Sequence, residues 1–257
     1  MTIDPKTQEI HAKVEVEITE SDTVFVLHSG GIDSTTCLAI AIEEFGHNSV
    51  RSISVDYGQR HRNEIDAAKG IAELYGIPHQ ILSLGNLIPK TMLTDPSQEV
   101  PDVTYDEITG VSPTYVPFRN GFMLSAIAAL AQGHIDQQAQ VSKGVPLQFH
   151  NHFGHIYFGA HAEDAANWAY PDCTPEFIGS MANAIYVGTY HRVRLHTPIM
   201  WMQKASIIKL GIELDAPLHL TWSCYKGGEK HCGSCPTCYS RKQGFEKAGI
   251  SDPTPYL

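Results

Sequence analysis

The 257-residue chain is short of positive charge: 18 Lys and Arg stand against 28 Asp and Glu, a formal net charge of −10. Such a balance disfavours broad binding to a phosphate backbone. Residues 226–247 depart from it, with five Lys/Arg against two Glu, and read equally as a basic patch or a solvated face. No stretch is long and apolar enough to span a bilayer. Residues 1–20 hold five acidic and two basic residues and no apolar h-region, so a signal peptide is not expected there. The expected location is the cytoplasm, with neither a membrane nor a nucleic acid as partner. Internal repeats and low-complexity tracts are also missing. Histidine is plentiful, fourteen in all, and His150, His152, His155 and His161 crowd one segment. Their spacing matches no standard metal pattern, so they are expected on loops and surface. Apolar residues make up 42% of the chain, enough for one large core with a small appendage.

The most informative stretch is Ser29-Gly30-Gly31-Ile32-Asp33-Ser34-Thr35, directly behind the apolar residues Val24, Phe25, Val26 and Leu27. Leu38, Ala41, Ile42 and Phe45 follow at helical spacing, so the segment reads as strand, glycine turn, helix. Two glycines let the backbone approach a ligand closely. Ser29, Ser34 and Thr35 add hydroxyl donors, and free amides at the helix start point at negative charge. No Gly-Lys-Ser/Thr follows, which argues against a loop that grips terminal phosphates through a lysine. The plain alternative is an ordinary βα turn with Asp33 or Ser34 as helix N-cap.

Further along, residues 50–55 alternate like a strand, Ile65, Ala68, Ala72 and Tyr75 follow at helical spacing, and residues 81–84 read as a third strand. Strands alternating with helices of this length predict an α/β fold with a doubly wound, mostly parallel sheet. Ligands of such sheets sit beyond the carboxyl ends of the strands, where Ser29-Gly30 and Asp56-Tyr57 fall. Residues 86–117 contain five prolines and little periodicity, the pattern of a long functional loop or lid. A small apolar helix is expected over 121–132, a strand over 156–159, and an insertion or dimer arm over the polar residues 134–151. Thr174-Pro175 is a helix start, with Phe177, Met181 and Ile185 as its buried stripe.

Four of six cysteines fall at Cys224, Cys232, Cys235 and Cys238, a C-x7-C-x2-C-x2-C spacing. Thiolate pairs two residues apart converge on one ion, as tetrahedral zinc needs, and four protein ligands would make the site structural. Gly227, Gly228 and Gly233 supply turns, and Pro236 stiffens the last one. Disulfides and an iron–sulfur cluster are the alternatives. Cys37 reads as a small core residue. Cys173 stands in Tyr170-Pro171-Asp172-Cys173, just before a helix start.

The Ser-Gly-Gly-x-Asp-Ser turn resembles the PP-loop of the ATP-pyrophosphatase superfamily, which cuts ATP between the α and β phosphates. Together with Asp56-Tyr57-Gly58-Gln59-Arg60-His61, Val116-Pro117-Phe118-Arg119-Asn120, Tyr170-Pro171-Asp172-Cys173, Pro198-Ile199-Met200-Trp201, Lys204-Ala205 and the four cysteines, it makes the chain resemble the 7-cyano-7-deazaguanine synthase family. The resemblance implies an adenine nucleotide alpha hydrolase-like fold: an extension over 1–20, a PP-loop ATP-binding domain over 21–215 and a zinc-binding segment over 216–257. It implies that 7-carboxy-7-deazaguanine is adenylated, aminated by ammonia, adenylated again and dehydrated to the nitrile, with AMP and pyrophosphate released. ATP, Mg²⁺ and one structural Zn²⁺ are the implied cofactors, and a homodimer is expected.

On that resemblance Ser29, Gly30, Gly31, Asp33, Ser34 and Thr35 cradle phosphates, while Arg119 and Lys204 meet developing charge. Asp33 either positions the metal or caps the helix. Asp56 and Tyr57 contact the nucleotide or the base. Arg60 and His61 are either part of that motif's function or surface residues at the start of a helix. Asp172 accepts hydrogen bonds from the guanine-like edge, with Tyr170 or Trp168 stacked on the ring and Arg119 beside it. The family usually has glycine where Phe118 stands, and a short Ser-Gly segment in place of residues 164–169. The chain shows no glutaminase domain, so free ammonia or a separate amine supplies nitrogen. The alternatives are a deazaguanine ligase that stops at the amide or joins another amine, a PP-loop tRNA-modifying enzyme, and a zinc-stabilised ATP-sensing module without turnover.

Overall fold

The computed structural model describes residues 22–104, 107–108, 110–141, 152–161, 163–164 and 168–257. Five strands, β1 (Thr23–Leu27), β2 (Val50–Asp56), β3 (His79–Ser83), β4 (Gly154–Phe158) and β5 (Val193–His196), form one sheet in the order β3-β2-β1-β4-β5. Every pairing is parallel. The continuous apolar run of β1 follows from burial on both faces. Phe25 and Leu27 pack with Leu124, Ile127, Ile156 and Ile185 on one side. Val24 and Val26 pack with Leu38, Ile71, Ile207 and Phe245 on the other. Helices α3 (Arg119–Val141) and α4 (Pro175–Gly188) cover the first face; α1 (Ile32–Phe45), α2 (Asn63–Tyr75), α5 (Lys204–Glu213) and α6 (Pro236–Ala248) cover the second. The doubly wound α/β expectation is met. The chain runs outward from β1 to β3, then restarts at β4 on the far side of β1, so the topological switch point lies between β1 and β4.

Several local expectations need correction. Helix α3 extends well past residue 132, because Ile135 continues the buried stripe of Leu124, Ile127, Ala128 and Ala131, and Asp136 is tied to Arg192 at 2.8 Å. Residues 134–141 are thus helix, while 142–151 of the expected arm, 165–167, and the extension over 1–20 lie outside the described residues. Strand β3 begins two residues earlier than its apolar pattern suggests, since pairing from Ser52↔His79 to Asp56↔Ser83 defines this edge strand. Helix α4 is capped by Thr174, whose Oγ1 accepts from the Phe177 amide at 3.2 Å, but its deepest residues are Ile178 and Ile185, with Phe177 and Met181 half-buried.

His155 and His161 are buried, each 1% exposed, and not surface residues. Of the basic stretch 226–247, Arg241 is fully buried on Asp252, Thr221 and Leu218 and Lys226 is paired with Asp102, while Lys230, Lys242 and Lys247 are exposed. The long segment after β3 is anchored by buried Ile88, Leu93, Val100, Ile108 and Val116. Arg60 pins it, its amide donating to Leu93 O at 2.9 Å and its guanidinium to Gln98 O at 2.8 Å. Arg60 therefore has a structural task. His61 packs edge-on to Trp222.

Candidate active site

The turn after β1 builds the centre of the site. Gly31 is the N-cap of α1 and offers no side chain, so neither Asp33 nor Ser34 caps the helix; both lie in its first turn. The first backbone bond of α1 runs from Thr35 N to Gly31 O, leaving the amides of Ile32, Asp33 and Ser34 without a backbone acceptor among the described residues. The Ser34 hydroxyl stands 3.1 Å from that of Ser29 and accepts from the Ser29 amide at 3.2 Å, which closes the turn into a ring of donors. Thr35 faces inward, its Oγ1 3.1 Å from His28 Nε2.

Gly30 has φ +79°, and a Cβ there would lie 2.4 Å from the Glu64 carbonyl and 2.7 Å from the Ala68 amide. Only glycine lets the turn lie against the start of α2. From the switch-point side, Gly159 after β4 also comes close, since a Cβ on it would fall 3.1 Å from the Ser34 amide. The N-terminus of α1 therefore opens onto a cleft between β1 and β4, an arrangement suited to anions.

Two adjoining open hollows fill that cleft. Both are lined by Ser29, Gly31, Asp33, Glu64, Asp164 and Tyr225. Lys204 lines the first, and its ammonium donates to both Asp33 oxygens at 2.7 and 2.6 Å. Burial pushes the Asp33 carboxyl up, but Lys204 and His161 more than offset that and hold it well below the ordinary carboxylate range. His161 Nε2 lies 3.3 Å from Asp164 and 3.7 Å from Asp33. Burial pushes this imidazole down, and the two carboxylates reverse the effect, so its net shift is upward. The Glu163 carboxylate accepts from the Lys204 amide at 2.9 Å and so fixes the start of α5.

Arg119 lines the second hollow, donating to the Tyr57 hydroxyl at 3.3 Å with its guanidinium 5.4 Å from that ring's centre. The residues around Arg119 interlock with the Tyr-Pro-Asp-Cys turn: the Asn120 amide donates to Asp172 Oδ2 at 3.0 Å, and Asn120 Nδ2 to the Asp172 carbonyl at 3.2 Å. Cys173 lines the hollow, but burial pushes its thiol well above the ordinary value, so it is no ready nucleophile. Phe118 has φ +55°, a conformation glycine takes freely, and its ring packs edge-on to Phe122 and Phe177.

Ser29, Gly31, Asp33, Ser34, Tyr57, Arg119 and Lys204 thus converge on one cleft. Other expected site residues do not line it. Asp56 is turned to the Gly58 amide and to Arg62 at 3.2 Å. The Tyr170 hydroxyl is buried on Ser112 and Thr114, Asp172 sits behind Asn120, and Trp168 is 69% exposed with φ +62°. Sequence reasoning missed Glu64, His161, Asp164 and Tyr225. Glu64 follows the Arg60-His61 motif by three residues, a signal within reach; nothing local marks the others.

The four cysteine sulfurs all lie within 4.8 Å of one another. Sulfurs about 2.3 Å from a tetrahedral ion sit roughly 3.8 Å apart, and Cys232 Sγ is 3.9 Å from Cys238 Sγ. The amides of Ser234 and Cys235 point at Cys232 Sγ from 3.4 and 3.3 Å, and the Cys232 amide at Cys224 Sγ from 3.4 Å, donors suited to thiolates. No disulfide joins them in this structure. Gly227, Gly228 and Gly233 all take positive φ in the turns between them. The cluster can hold a metal ion.

A parallel sheet with a Ser-Gly-Gly-x-Asp-Ser cradle at its switch point defines a PP-loop nucleotide-binding protein. Residues 23–249 match the family model described as queuosine biosynthesis protein QueC, and the chain belongs to that family. It is 41% identical to the 7-cyano-7-deazaguanine synthase of Acetivibrio thermocellus, over 90% of this chain and 96% of that protein. Identity is 40% to the synthase of the same name from Thermoplasma acidophilum, over 92% of this chain and 93% of the relative. The corresponding protein of Oceanobacillus iheyensis is also 40% identical, over 90% and 97% of the two chains. These names favour the nitrile-forming reading over the amide-ligase and tRNA-modifying alternatives.

Proposed function

We propose that the chain converts 7-carboxy-7-deazaguanine, ammonia and ATP into 7-cyano-7-deazaguanine, releasing AMP and pyrophosphate. The observation that carries this reading is the cradle of Ser29, Gly31 and Ser34, with its open α1 amides, facing Lys204 and Arg119 across one cleft. A carboxylate resists attack by ammonia because its oxide is a poor leaving group. Joining that oxygen to the α-phosphorus of ATP makes AMP the leaving group. The transition state gathers negative charge on phosphate oxygens, which fixed amides, hydroxyls and the Lys204 ammonium neutralise without reorganisation. Arg119 orients the substrate beside Tyr57. Asp33 orients Lys204, and the Asp164 oxygen not turned to His161 would hold Mg²⁺. When bound, that ion neutralises phosphate charge as a Lewis acid. The same cleft then activates the amide oxygen with a second ATP, and loss of AMP leaves the nitrile. Water must be excluded at that stage, since an activated amide hydrolyses readily.

In this reading the cysteine cluster holds one structural zinc. The compact sulfur set suits a single ion better than a bulkier iron–sulfur core, and four protein ligands leave no open position. The enzyme works in the cytoplasm as a homodimer on small molecules, without a nucleic-acid partner. Incubation with ATP, Mg²⁺, ammonia and 7-carboxy-7-deazaguanine, with products identified by mass, tests the proposal. The expected result is nitrile with two AMP and two pyrophosphate per product. Formation of ADP and phosphate overturns the PP-loop chemistry, and a ratio of one with the carboxamide as end product overturns the synthase reading.

A further inference from the structure

Three carboxylates line both hollows of the cleft: Asp33, Asp164 and Glu64. Asp33 is committed to Lys204, and Asp164 to His161. The Glu64 carboxylate has no hydrogen bond or ion pair among the described residues; the residue stands in the first turn of α2, its backbone carbonyl against the cradle glycine, and also lines a third, smaller hollow with Tyr57. A half-buried carboxyl without a partner is costly to keep ionised and is rarely found without a use. The nitrogen chemistry of the cleft needs such a group, because ammonia is mostly ammonium near neutral pH and ammonium has no lone pair to attack with.

We propose that Glu64 is the general base that removes protons from the nitrogen nucleophile at the adenylated carboxylate. The proposal rests on the reading above. Ammonium gives one proton to the Glu64 carboxylate, and the freed pair forms the C–N bond at the acyl carbon. The C–O bond to AMP then breaks, AMP leaving with the bonding electrons, and a second proton passes from nitrogen to solvent. The products are amide, AMP and two protons. Dehydration of the amide makes the same demand, since both N–H protons must leave for the nitrile to form.

The surroundings suit the task. Burial pushes the Glu64 carboxyl up to about 7, and Arg119 acts in the opposite direction. The phenols of Tyr57 and Tyr225 face it from the end of β2 and from the cysteine segment. The remaining charged groups of the first hollow are each paired: Lys204 with Asp33, Asp164 with His161 and Arg241 with Asp252. A base titrating close to the working pH takes up a proton and releases it with little penalty.

Two partial reactions of Glu64→Gln separate this role from others. Carboxydeazaguanine-dependent exchange of pyrophosphate into ATP reports adenylation alone. Amide formation from ammonia reports nitrogen transfer, and hydroxylamine, largely unprotonated near neutrality, bypasses the first proton removal. The expected result is exchange within about threefold of wild type, ammonia-dependent amide formation reduced about 10²- to 10⁴-fold, and hydroxamate formation reduced far less. The wild-type rate with ammonia should stay level just above about pH 7 and fall below it, whereas the variant, which depends on the free-base fraction of ammonia, should fall with dropping pH throughout that range. Loss of exchange in parallel with amide formation overturns the proposal and makes Glu64 a nucleotide-positioning residue. Unchanged amide formation, or equal losses with ammonia and hydroxylamine, overturns it as well. Absence of exchange in the wild-type protein overturns the proposed function, and the Glu64 assignment with it.

Discussion

The Lys204 ammonium, at the first position of α5, donates to both carboxylate oxygens of Asp33 in the first turn of α1. The contact places a cation against the open amides of the cradle and holds it with a geometry a flexible lysine would otherwise lack. Its stem lies over Gly244, where a Cβ would come within 2.5 Å of Lys204 Cγ, so the packing of α6 on α5 sets the reach.

Lys204→Met is expected to lower ATP-to-AMP turnover about 10²- to 10³-fold, the scale for losing one aligned contact to developing charge. Stability should also fall, by up to about 3 kcal/mol, because a largely buried Asp33 is left without its partner. Adding Asp33→Asn should restore most of the stability and none of the rate. Urea unfolding of the single and double variants checks this; equal stability of the two variants would remove the pair from the account. Ser29→Ala should cost about tenfold to a thousandfold in rate with folding intact.

Gly30 and Gly31 should respond differently to the same methyl group. At Gly30 it meets backbone atoms of α2 at 2.4 and 2.7 Å with φ already positive; at Gly31 its nearest neighbours stand at 3.5 and 3.6 Å. Gly30→Ala is expected to destabilise by about 2 kcal/mol or more and to abolish nucleotide binding. Gly31→Ala should fold as wild type, and calorimetric titration with ATP distinguishes them.

Removing the metal should act on folding before chemistry. Elemental analysis is expected to find one zinc per chain, and chelation or Cys235→Ser to lower the unfolding temperature, because metal binding energy at such sites is folding energy. Iron in the protein, or a metal-free protein of unchanged stability, would refute the zinc assignment.

Mild acid should weaken the fold through His28. Burial, reinforced by the nearby His79, lowers its pKa from 6.5 to about 3, and its ring nitrogens are engaged by Ser52 and Thr35. Below pH 6.5 the unfolded chain takes up a proton that the folded chain refuses, so stability falls as pH drops towards about 3. At pH 5 the penalty is about 2 kcal/mol, from 1.36 kcal/mol per pKa unit. Urea midpoints at pH 7, 6 and 5 should fall for wild type and fall less steeply for His28→Asn.

The sequence by itself determined the features whose information is local. An apolar run broken by Ser-Gly-Gly and followed by helical spacing can only be strand, turn and helix, and C-x7-C-x2-C-x2-C brings thiolates together whatever surrounds it. The α/β alternation and the family motifs were legible for the same reason. Tertiary structure decided what depends on neighbours far apart in the chain. Asp33 and Lys204 are separated by 171 positions, and no periodicity announces that they meet. Asp56 and Asp172 stand in recognisable motifs, yet folding turns the first to Arg62 and the second behind Asn120. Glu64 looks like any first-turn helix acid until α2 packs against the cradle. Burial and charge pairing are properties of the assembled environment, so a residue's ionisation, unlike its place on a helix or strand, exists only once the chain has closed around it.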